Sequence, residues 1–437
     1  MIPLNWQPWA TRVLLTLLLF ILLPFLDSDH PRVSTLMRAT IPYGFSLEGW
    51  IFHNLPKKWT HQLQQIVPGQ IPSQERRRET LREYFRLSAE ARKIQEALPR
   101  RIAGDFPTES ELTEIFGERL LQIERRRDTI RYQVEDTLER ELTAVLKDQG
   151  LQWELGPFSV LFPPVDLRLE YMPDLLVFSL RDRITLLGTH LVQGKLTVED
   201  KEILEGKSSL DPEISALVMD ITGLAAYPTM ISDTQRPRAV LDTMAHEWLH
   251  QYWFFRPLGF SYNASSAMTT LNETAADIAG RELGELIFQR IGEQIPISPV
   301  STPRQLDPDF DFRREMRKTR LAVDNLLDQG KVESAEQYME SRRNLFVENG
   351  YRIRKLNQAY FAFKGLYGES AASASPIAEQ LQYLRSVSPD IGTFVRTMAG
   401  FNNYREFLSY ISEPPDDSRK RFSFDLKNPL NGASHRY

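Results

Sequence analysis

The stretch from Pro237 to Ala279 constrains this chain most, because it combines two helical patterns with side chains that can bind a metal ion. Near its start, His246, Glu247 and His250 form an H-E-x-x-H motif. Residues four apart lie on one face of a helix, one turn above the other. Two imidazoles can therefore bind one metal ion, and Glu247 can reach a metal-bound water without being a ligand.

The residues around the motif predict a helix over roughly 238–256. Pro237 suits a first helical turn, where its missing N–H costs nothing. No Gly or Pro interrupts the stretch, and Pro257 and Gly259 end it. Apolar residues recur at three- and four-residue steps, namely at Val240, Leu241, Met244, Trp248 and Leu249. The alternative is a buried helix whose two histidines are satisfied by hydrogen bonds alone.

A catalytic zinc site needs a third protein ligand. Glu273 is the best candidate, since it lies early in a second helical stretch at roughly 266–291. Asp277 follows four residues later on the same face, where its carboxylate could accept the free N–H of a ligating histidine and fix the tautomer. Asn272 could play a similar supporting role.

The two motifs together, H-E-x-x-H at 246–250 and N-E-x-x-x-D at 272–277, resemble the zinc-binding signature of the gluzincin metallopeptidases. This group includes thermolysin-like and aminopeptidase-like enzymes, and the resemblance covers roughly residues 155–290. It implies a small twisted sheet before the motif helix and Zn²⁺ as the cofactor. The implied roles are zinc ligation by His246, His250 and Glu273, proton transfer by Glu247, and support of a ligating histidine by Asp277.

The segment 223–231 resembles the edge strand that these enzymes lay beside the substrate. An extended peptide can add to such an edge through main-chain hydrogen bonds. Ala225 and Ala226 are small enough to let a substrate backbone approach, and Tyr227 follows them. Aminopeptidases of the group carry a Glu here for the substrate's amine, so the Ala and Tyr argue against that activity. An ordinary sheet edge without a ligand is the alternative.

Helical stretches at roughly 313–329, 332–364, 376–386 and 391–398 predict a C-terminal lobe that closes the cleft. Gluzincins often supply a Tyr or His from this lobe to hold the oxyanion. Tyr360 is the first candidate for that role and Tyr351 the second. A tyrosine packed in the core is the alternative for either residue.

The predicted fold class is α+β and predominantly helical. Short strands are expected at roughly 158–162, 167–171, 175–179 and 226–232, with short helices at 199–204 and 212–219. Charge-rich stretches at 73–98 and 108–147 predict an antiparallel helical hairpin, which could be a spacer, a partner-docking arm or a cover over the cleft. The predicted segments are a transmembrane helix (1–30), a linker (31–72), the hairpin (73–150), a zincin-like catalytic domain (151–296), the helical lobe (297–412) and a flexible tail (413–437).

The apolar run from Val13 to Leu26, extended backwards, is long enough to span a bilayer core. No small-residue cleavage site follows it, which favours an uncleaved signal-anchor over a cleaved signal peptide and secretion. A buried N-terminal helix is the third alternative. Arg12 before the run and Asp27 after it favour a cytoplasmic N-terminus. The sequence therefore predicts a single-pass membrane protein whose catalytic part faces away from the cytoplasm.

Composition excludes several other functions. The net charge of −5 argues against a nucleic-acid surface, and the absence of cysteine excludes disulfides, thiolate metal ligands and a Cys nucleophile. The oligomeric state is not indicated. The leading hypothesis is hydrolysis of a peptide or protein substrate by a zinc-activated water, with Glu247 as the base. The alternatives are a non-enzymatic membrane-tethered scaffold, and a zinc hydrolase that acts on a non-peptide amide.

Overall fold

The computed structural model describes residues 36, 38–64, 73–96, 118–155, 158–291 and 310–412 of the 437-residue chain. It is a mostly helical α+β protein with two small three-stranded sheets. The helices are α1 (Leu47–Gln64), α2 (Gln74–Glu96), α3 (Glu118–Asp148), α4 (Val198–Gly206), α5 (Pro237–Phe254), α6 (Pro257–Phe260), α7 (Ser266–Ile291), α8 (Phe312–Asp328), α9 (Val332–Glu348), α10 (Gln358–Lys364), α11 (Ile377–Val387), α12 (Ile391–Ala399) and α13 (Tyr404–Ser412). The strands are β1 (Trp153–Leu155), β2 (Phe158–Val160), β3 (Leu167–Glu170), β4 (Asp174–Leu180), β5 (Leu186–Val192), β6 (Ile214–Asp220), β7 (Gly223–Leu224) and β8 (Thr229–Ser232).

The strands form two separate three-stranded sheets instead of the single small sheet that was expected. In one sheet β4 lies between β5 and β6, and both pairings are antiparallel. In the other, β8 lies between β3 and β7, parallel to β3 and antiparallel to β7. Strands β1 and β2 form a short antiparallel pair of their own. Strand β7 is therefore an edge strand, and it contacts the motif helix α5.

The main hydrophobic core lies around α5 and α7, the two helices that carry the metal-binding motifs. Helix α7 is buried along most of its length, and it packs against α5, α3, α11 and α12. A second core joins α8, α9 and α10. The C-terminal helices therefore divide between two cores, because the apolar faces of α11 and α12 are buried against α7, while those of α8 and α9 pack on each other.

Helices α2 and α3 form the predicted antiparallel hairpin. Glu83 of α2 pairs with Arg126 of α3 at 2.8 Å, and Glu90, later in α2, pairs with Arg119, earlier in α3, at 2.7 Å. The two helices therefore run in opposite directions. The apolar stripe of α3, including Val134 and Leu138, is buried in the main core. The hairpin is thus part of the packed body that supports α5 and α7.

Three of the secondary-structure predictions were wrong. The stretch 212–219 is strand β6, because an apolar run buried on both faces carries no period that separates a strand from a helix. Residues 47–64, expected in an irregular linker, form helix α1 despite Pro56. The helical stretch expected over 332–364, which Gly350 could divide, is divided there, where the φ of Gly350 is left-handed at 88°, but residues 349–357 are not helical as expected.

Among the described residues, none of the helices combines the length and the apolar character needed to cross a membrane. The predicted transmembrane helix (1–30) and the predicted tail (413–437) lie outside the described residues. Residues 108–117, the predicted start of the second hairpin helix, also lie outside them.

Candidate metal centre

Helix α5 presents the H-E-x-x-H motif because its other faces are held in the core. Leu241, Met244 and Leu249 are fully buried, and the indole N–H of Trp248 donates to the carbonyl of Pro163 at 3.0 Å. Helix α7 approaches α5 closely where it carries glycine. A Cβ atom at Gly280 would lie 3.0 Å from the Cβ of His246, so any larger residue there would push the two helices apart. The close packing brings the side chains of α7 to the two histidines.

The structure brings the three predicted ligands together. The Nε2 atoms of His246 and His250 are 3.0 Å apart, and each lies 3.6 Å from Oε2 of Glu273. A tetrahedral ion bound at about 2.0–2.1 Å separates its donor atoms by about 3.3 Å. The three measured separations lie on either side of that value, so this group could hold a metal ion.

The hydrogen bonds behind the histidines support the same conclusion. Nδ1 of His246 lies 3.1 Å from Oδ1 of Asp277, and Nδ1 of His250 lies 2.9 Å from Oδ1 of Asn272. A neutral imidazole has one N–H, which these oxygens draw to Nδ1. When both imidazoles are neutral, both Nε2 atoms would direct lone pairs at each other across 3.0 Å. A cation bound between the two Nε2 atoms would remove that repulsion, so this arrangement of donor atoms is suited to a metal ion.

The electrostatics of the triad also favour a positive charge at this place. Burial acts to lower the pKa of His246, but hydrogen bonds to Asp277 and Glu273 outweigh it and hold that pKa well above its usual value. Burial acts to raise the pKa of Glu273, but the charge of His250 and hydrogen bonds from both histidines hold it well below its usual value. The site is built to keep an anionic carboxylate beside cationic or metal-bound imidazoles.

Glu247 lies beside the triad, under the edge strand β7. Its side chain is buried, and burial raises the pKa of its carboxyl. A Cβ atom at Gly223 would lie 2.3 Å from Oε1 of Glu247, so only glycine allows the strand to pass this close. Glu247 therefore sits between the triad and the strand, in the position of a group that can exchange a proton with a molecule bound there.

The edge strand is shorter than the sequence predicted. The N–H of Ser232 donates to the carbonyl of Thr222 at 2.9 Å, so in this antiparallel pair the backbone N–H and C=O of Gly223 point away from β8. They face the cleft, where an extended ligand could pair with them.

The three residues named for that strand lie in the turn between β7 and β8. Ala225 lines the cleft, whereas Ala226 and Tyr227 are buried. Gln251 of α5 holds this turn by donating to the carbonyl of Ala226 and to Oγ1 of Thr229 at 2.8 Å. The substrate edge that the structure offers is therefore Gly223–Leu224, with Ala225 at its end.

The triad lies in a cleft of about 1410 Å³ between the two sheets, α10 and the loop that follows α10. Two tyrosines that were not predicted lie at the triad. Tyr262 donates from Oη to Oε1 of Glu273 at 2.5 Å. The ring of Tyr367 lies 6.5 Å from that of His246, centroid to centroid. Both come from loops, where no periodic pattern marks them in the sequence.

Tyr360, the first candidate for the oxyanion, is not among the residues that line the cleft. It packs edge-to-face on Phe361, between the second core and the sheet of β4, β5 and β6. Tyr351 stacks on Phe312 in the second core, with ring centroids 4.3 Å apart. Tyr367, which follows the end of α10, lines the cleft instead, and no periodic pattern in the sequence identifies it.

No protein-family model, no curated protein and no solved structure matches this chain. The geometry of the site is therefore the basis for its function.

Proposed function

We propose that this protein is a zinc metallopeptidase of the gluzincin type, held at a membrane by its N-terminal apolar run. The observation that carries the proposal is the convergence of His246, His250 and Glu273, with both Nδ1 atoms tied to oxygen acceptors. Two imidazoles and one carboxylate are a donor set of catalytic zinc sites, which leave one position open. A structural zinc site usually has four protein ligands and often cysteine, and this chain has no cysteine.

The cleft supports a peptide substrate. It has a volume of about 1410 Å³, and Gly223, whose backbone groups point away from β8, lines it together with the triad. A peptide bound there in β-strand fashion would place a carbonyl over the metal site and under the reach of Glu247. The Ala and Tyr that follow the strand provide no carboxylate for a substrate amine, which favours cleavage within a chain over removal of its first residue.

Zinc bound by the triad would supply a Lewis acid and lower the pKa of a bound water to about 7. Glu247 takes up a proton from the attacking water and passes it to the leaving nitrogen. Tyr367 is placed to donate a hydrogen bond to the oxyanion, since its hydroxyl lies at the cleft and makes no hydrogen bond to any described residue. Asp277 and Asn272 hold the two imidazoles in the ligating tautomer.

The membrane anchor is supported by the sequence alone. The run Val13–Leu26 is free of charge and is followed by no small-residue cleavage site. Orientation by Arg12 and Asp27 would put the cleft outside the cytoplasm.

The decisive experiment is a peptide-library digest with purified full-length protein in detergent, with and without a zinc chelator. Glu247→Gln should retain stoichiometric zinc and lose about 10²–10⁴-fold in turnover, because it removes only the base. His246→Ala should lose the metal and the activity together. Cleavage that persists in Glu247→Gln would exclude Glu247 as the base. Zinc binding without cleavage of any peptide would leave a zinc hydrolase of non-peptide amides or a non-enzymatic scaffold.

A further inference from the structure

Lys364, the last residue of α10, stands in the cleft without an anionic partner. It lines the same cavity as the triad, and it makes no ion pair or hydrogen bond to any residue that the structure describes. The closest interaction of its ammonium group is with the ring of Phe363, 5.6 Å from the centroid. Burying an ammonium group without a partner is unfavourable, so a lysine at such a place needs an explanation.

The nearby carboxylates are already committed to other groups. Asp220 accepts from Nζ of Lys201 at 2.9 Å, and Asp277 lies 3.1 Å from Nδ1 of His246. Burial lowers the pKa of Lys364, and the charges of Asp220 and Asp277 only partly offset that effect. A bound anion would restore the interactions that this ammonium group lacks.

The other cations of the cleft are used within the protein. Arg281 forms an ion pair with the carboxylate of Glu369, and Arg313 donates to the backbone carbonyl of the same residue. Both arginines thereby hold the loop that carries Tyr367. Among the described residues that line the cleft, Lys364 is the cation left for a ligand.

Part of the cavity that Lys364 lines is apolar. Leu175 of β4, Leu186 of β5 and Phe363 are partly buried and line the same cavity. Aliphatic and aromatic walls around a single cation suit a ligand that joins hydrocarbon to one negative charge. The subsite adjoins the metal site, because Phe363 packs edge-to-face on Tyr367 at 5.8 Å, and Tyr367 lies against His246.

We propose that Lys364 binds a free carboxylate of the substrate in a subsite walled by Leu175, Leu186 and Phe363. This inference rests on the proposed peptidase function and names the chemistry of its substrates. A carboxylate of a peptide comes from an acidic side chain or from the C-terminus. The first source gives cleavage near Glu or Asp, and the second gives release of a short C-terminal fragment.

The test uses alanine-based decapeptides in which one Glu, or one Gln, occupies each position in turn, with free or amidated C-termini. Cleavage by zinc-loaded full-length protein is followed by mass spectrometry. Wild type should prefer the peptides that offer a carboxylate at one fixed distance from the cleaved bond. Dependence on Glu at that position identifies a side chain, and loss of cleavage on amidation identifies the C-terminus.

Lys364→Met should lower kcat/KM for the preferred peptide about 10- to 100-fold, as expected for loss of a hydrogen bond between charged groups. The matched neutral peptide should be cleaved at the wild-type rate, and Lys364→Arg should keep most of the preference. An equal loss for both peptides would overturn the proposal and make Lys364 a helix-end cation that positions the site. Cleavage of the peptides by wild type without any carboxylate preference would also overturn it.

Binding separates this proposal from the peptidase function itself. Fluorescein-labelled members of the same peptide set are titrated into zinc-loaded Glu247→Gln, with and without Lys364→Met, and anisotropy is measured. A carboxylate preference that Lys364→Met abolishes would support the subsite even if wild type cleaves none of the peptides. Equal binding of Glu and Gln peptides would reject the subsite, whether or not cleavage occurs.

Discussion

At the triad, the role of each tyrosine depends on where its hydroxyl proton is directed. Tyr262 already donates to Glu273, so its hydroxyl orients the carboxylate of this candidate metal ligand. Tyr367 has no such acceptor among the described residues, and burial holds its pKa well above the usual value, so it stays a protonated donor at neutral pH. A neutral phenol directed at the cleft is suited to a developing oxyanion.

We expect Tyr367→Phe to lower kcat by about 10²–10³-fold with little change in zinc content, as for loss of one oxyanion donor. Tyr360→Phe is the matched control, because its ring belongs to the packed region behind the cleft. It should retain wild-type kcat. Steady-state kinetics on the best peptide from the library decide the matter. A larger loss in Tyr360→Phe than in Tyr367→Phe would return the oxyanion role to Tyr360.

Asp242 is another titratable residue of α5, and it lies one turn before His246. Its side chain is 27% exposed and lies 3.4 Å from the Nε of Arg238. Burial raises its pKa from 3.8 to about 6, although Arg238 opposes the rise. A folded-state pKa above the unfolded value stabilises the fold at low pH. That contribution is complete below about pH 4 and is lost as the pH rises through about 6.

Asp242→Asn cannot titrate and should therefore gain stability relative to wild type as the pH increases. The difference in unfolding free energy, variant minus wild type, should rise by about 1–2 kcal/mol between pH 4 and pH 7.5, after allowance for solvent screening. Urea unfolding of both proteins in chelator measures it without the contribution of the metal. A difference that is constant with pH would show that Asp242 titrates normally.

At the scale of elements, the sequence predicted best where one period covers many residues. The helix expected at 266–291 is α7 with the same bounds, and the motif helix ends within two residues of its predicted end. Short strands were predicted less well. Strand β6 was predicted as a helix, because its buried apolar run carries little periodic signal, and β5, whose seven residues do not alternate between buried and exposed, was not predicted.

Helix α1 is held to the body of the protein by a buried lysine. Nζ of Lys58, 1% exposed, lies 3.0 Å from Glu135, 2.6 Å from Glu139 and 3.5 Å from Asp166. The two glutamates of α3 also accept from the backbone N–H groups of Leu169 (2.8 Å) and Leu167 (2.9 Å). They thus satisfy the outer edge of β3, and Lys58 compensates the charge that this requires.

Lys58→Met should destabilise the fold by about 3–5 kcal/mol, because it leaves Glu139 and Asp166 buried without this cation and Glu135 with only the guanidinium of Arg168 at 3.7 Å. Lys57→Met is the control, because Lys57 is adjacent to Lys58 in the sequence but is exposed to solvent. Combining Lys58→Met with Glu139→Gln should recover part of the loss. Thermal and urea unfolding measure these changes. If Lys58→Met proved as stable as Lys57→Met, the buried ion cluster would not secure α1.

In the whole molecule, the candidate site joins segments that are far apart in the sequence. The ligands came from local spacing, so His246, His250 and Glu273 could be named in advance. The edge segment at 223–231 was also named, but Lys364 and Tyr367 could not be, because they acquire their positions in the cleft only from packing between distant elements. No pattern within a helix or strand records which loop will face a metal site.

A metal ion bound by His246, His250 and Glu273 would be coupled to the stability of the whole protein, because it would join α5 to α7. Both helices form the main core with α3, α11 and α12. Zinc that binds only the folded state should add about 2.7 kcal/mol when free zinc is 100-fold above its Kd. A chelator should therefore lower the melting temperature of wild type and of Glu247→Gln by the same amount. It should leave Glu273→Ala, which lacks a ligand, unchanged. If fully zinc-loaded wild type melted at the same temperature as wild type in chelator, the ion would not join the two helices.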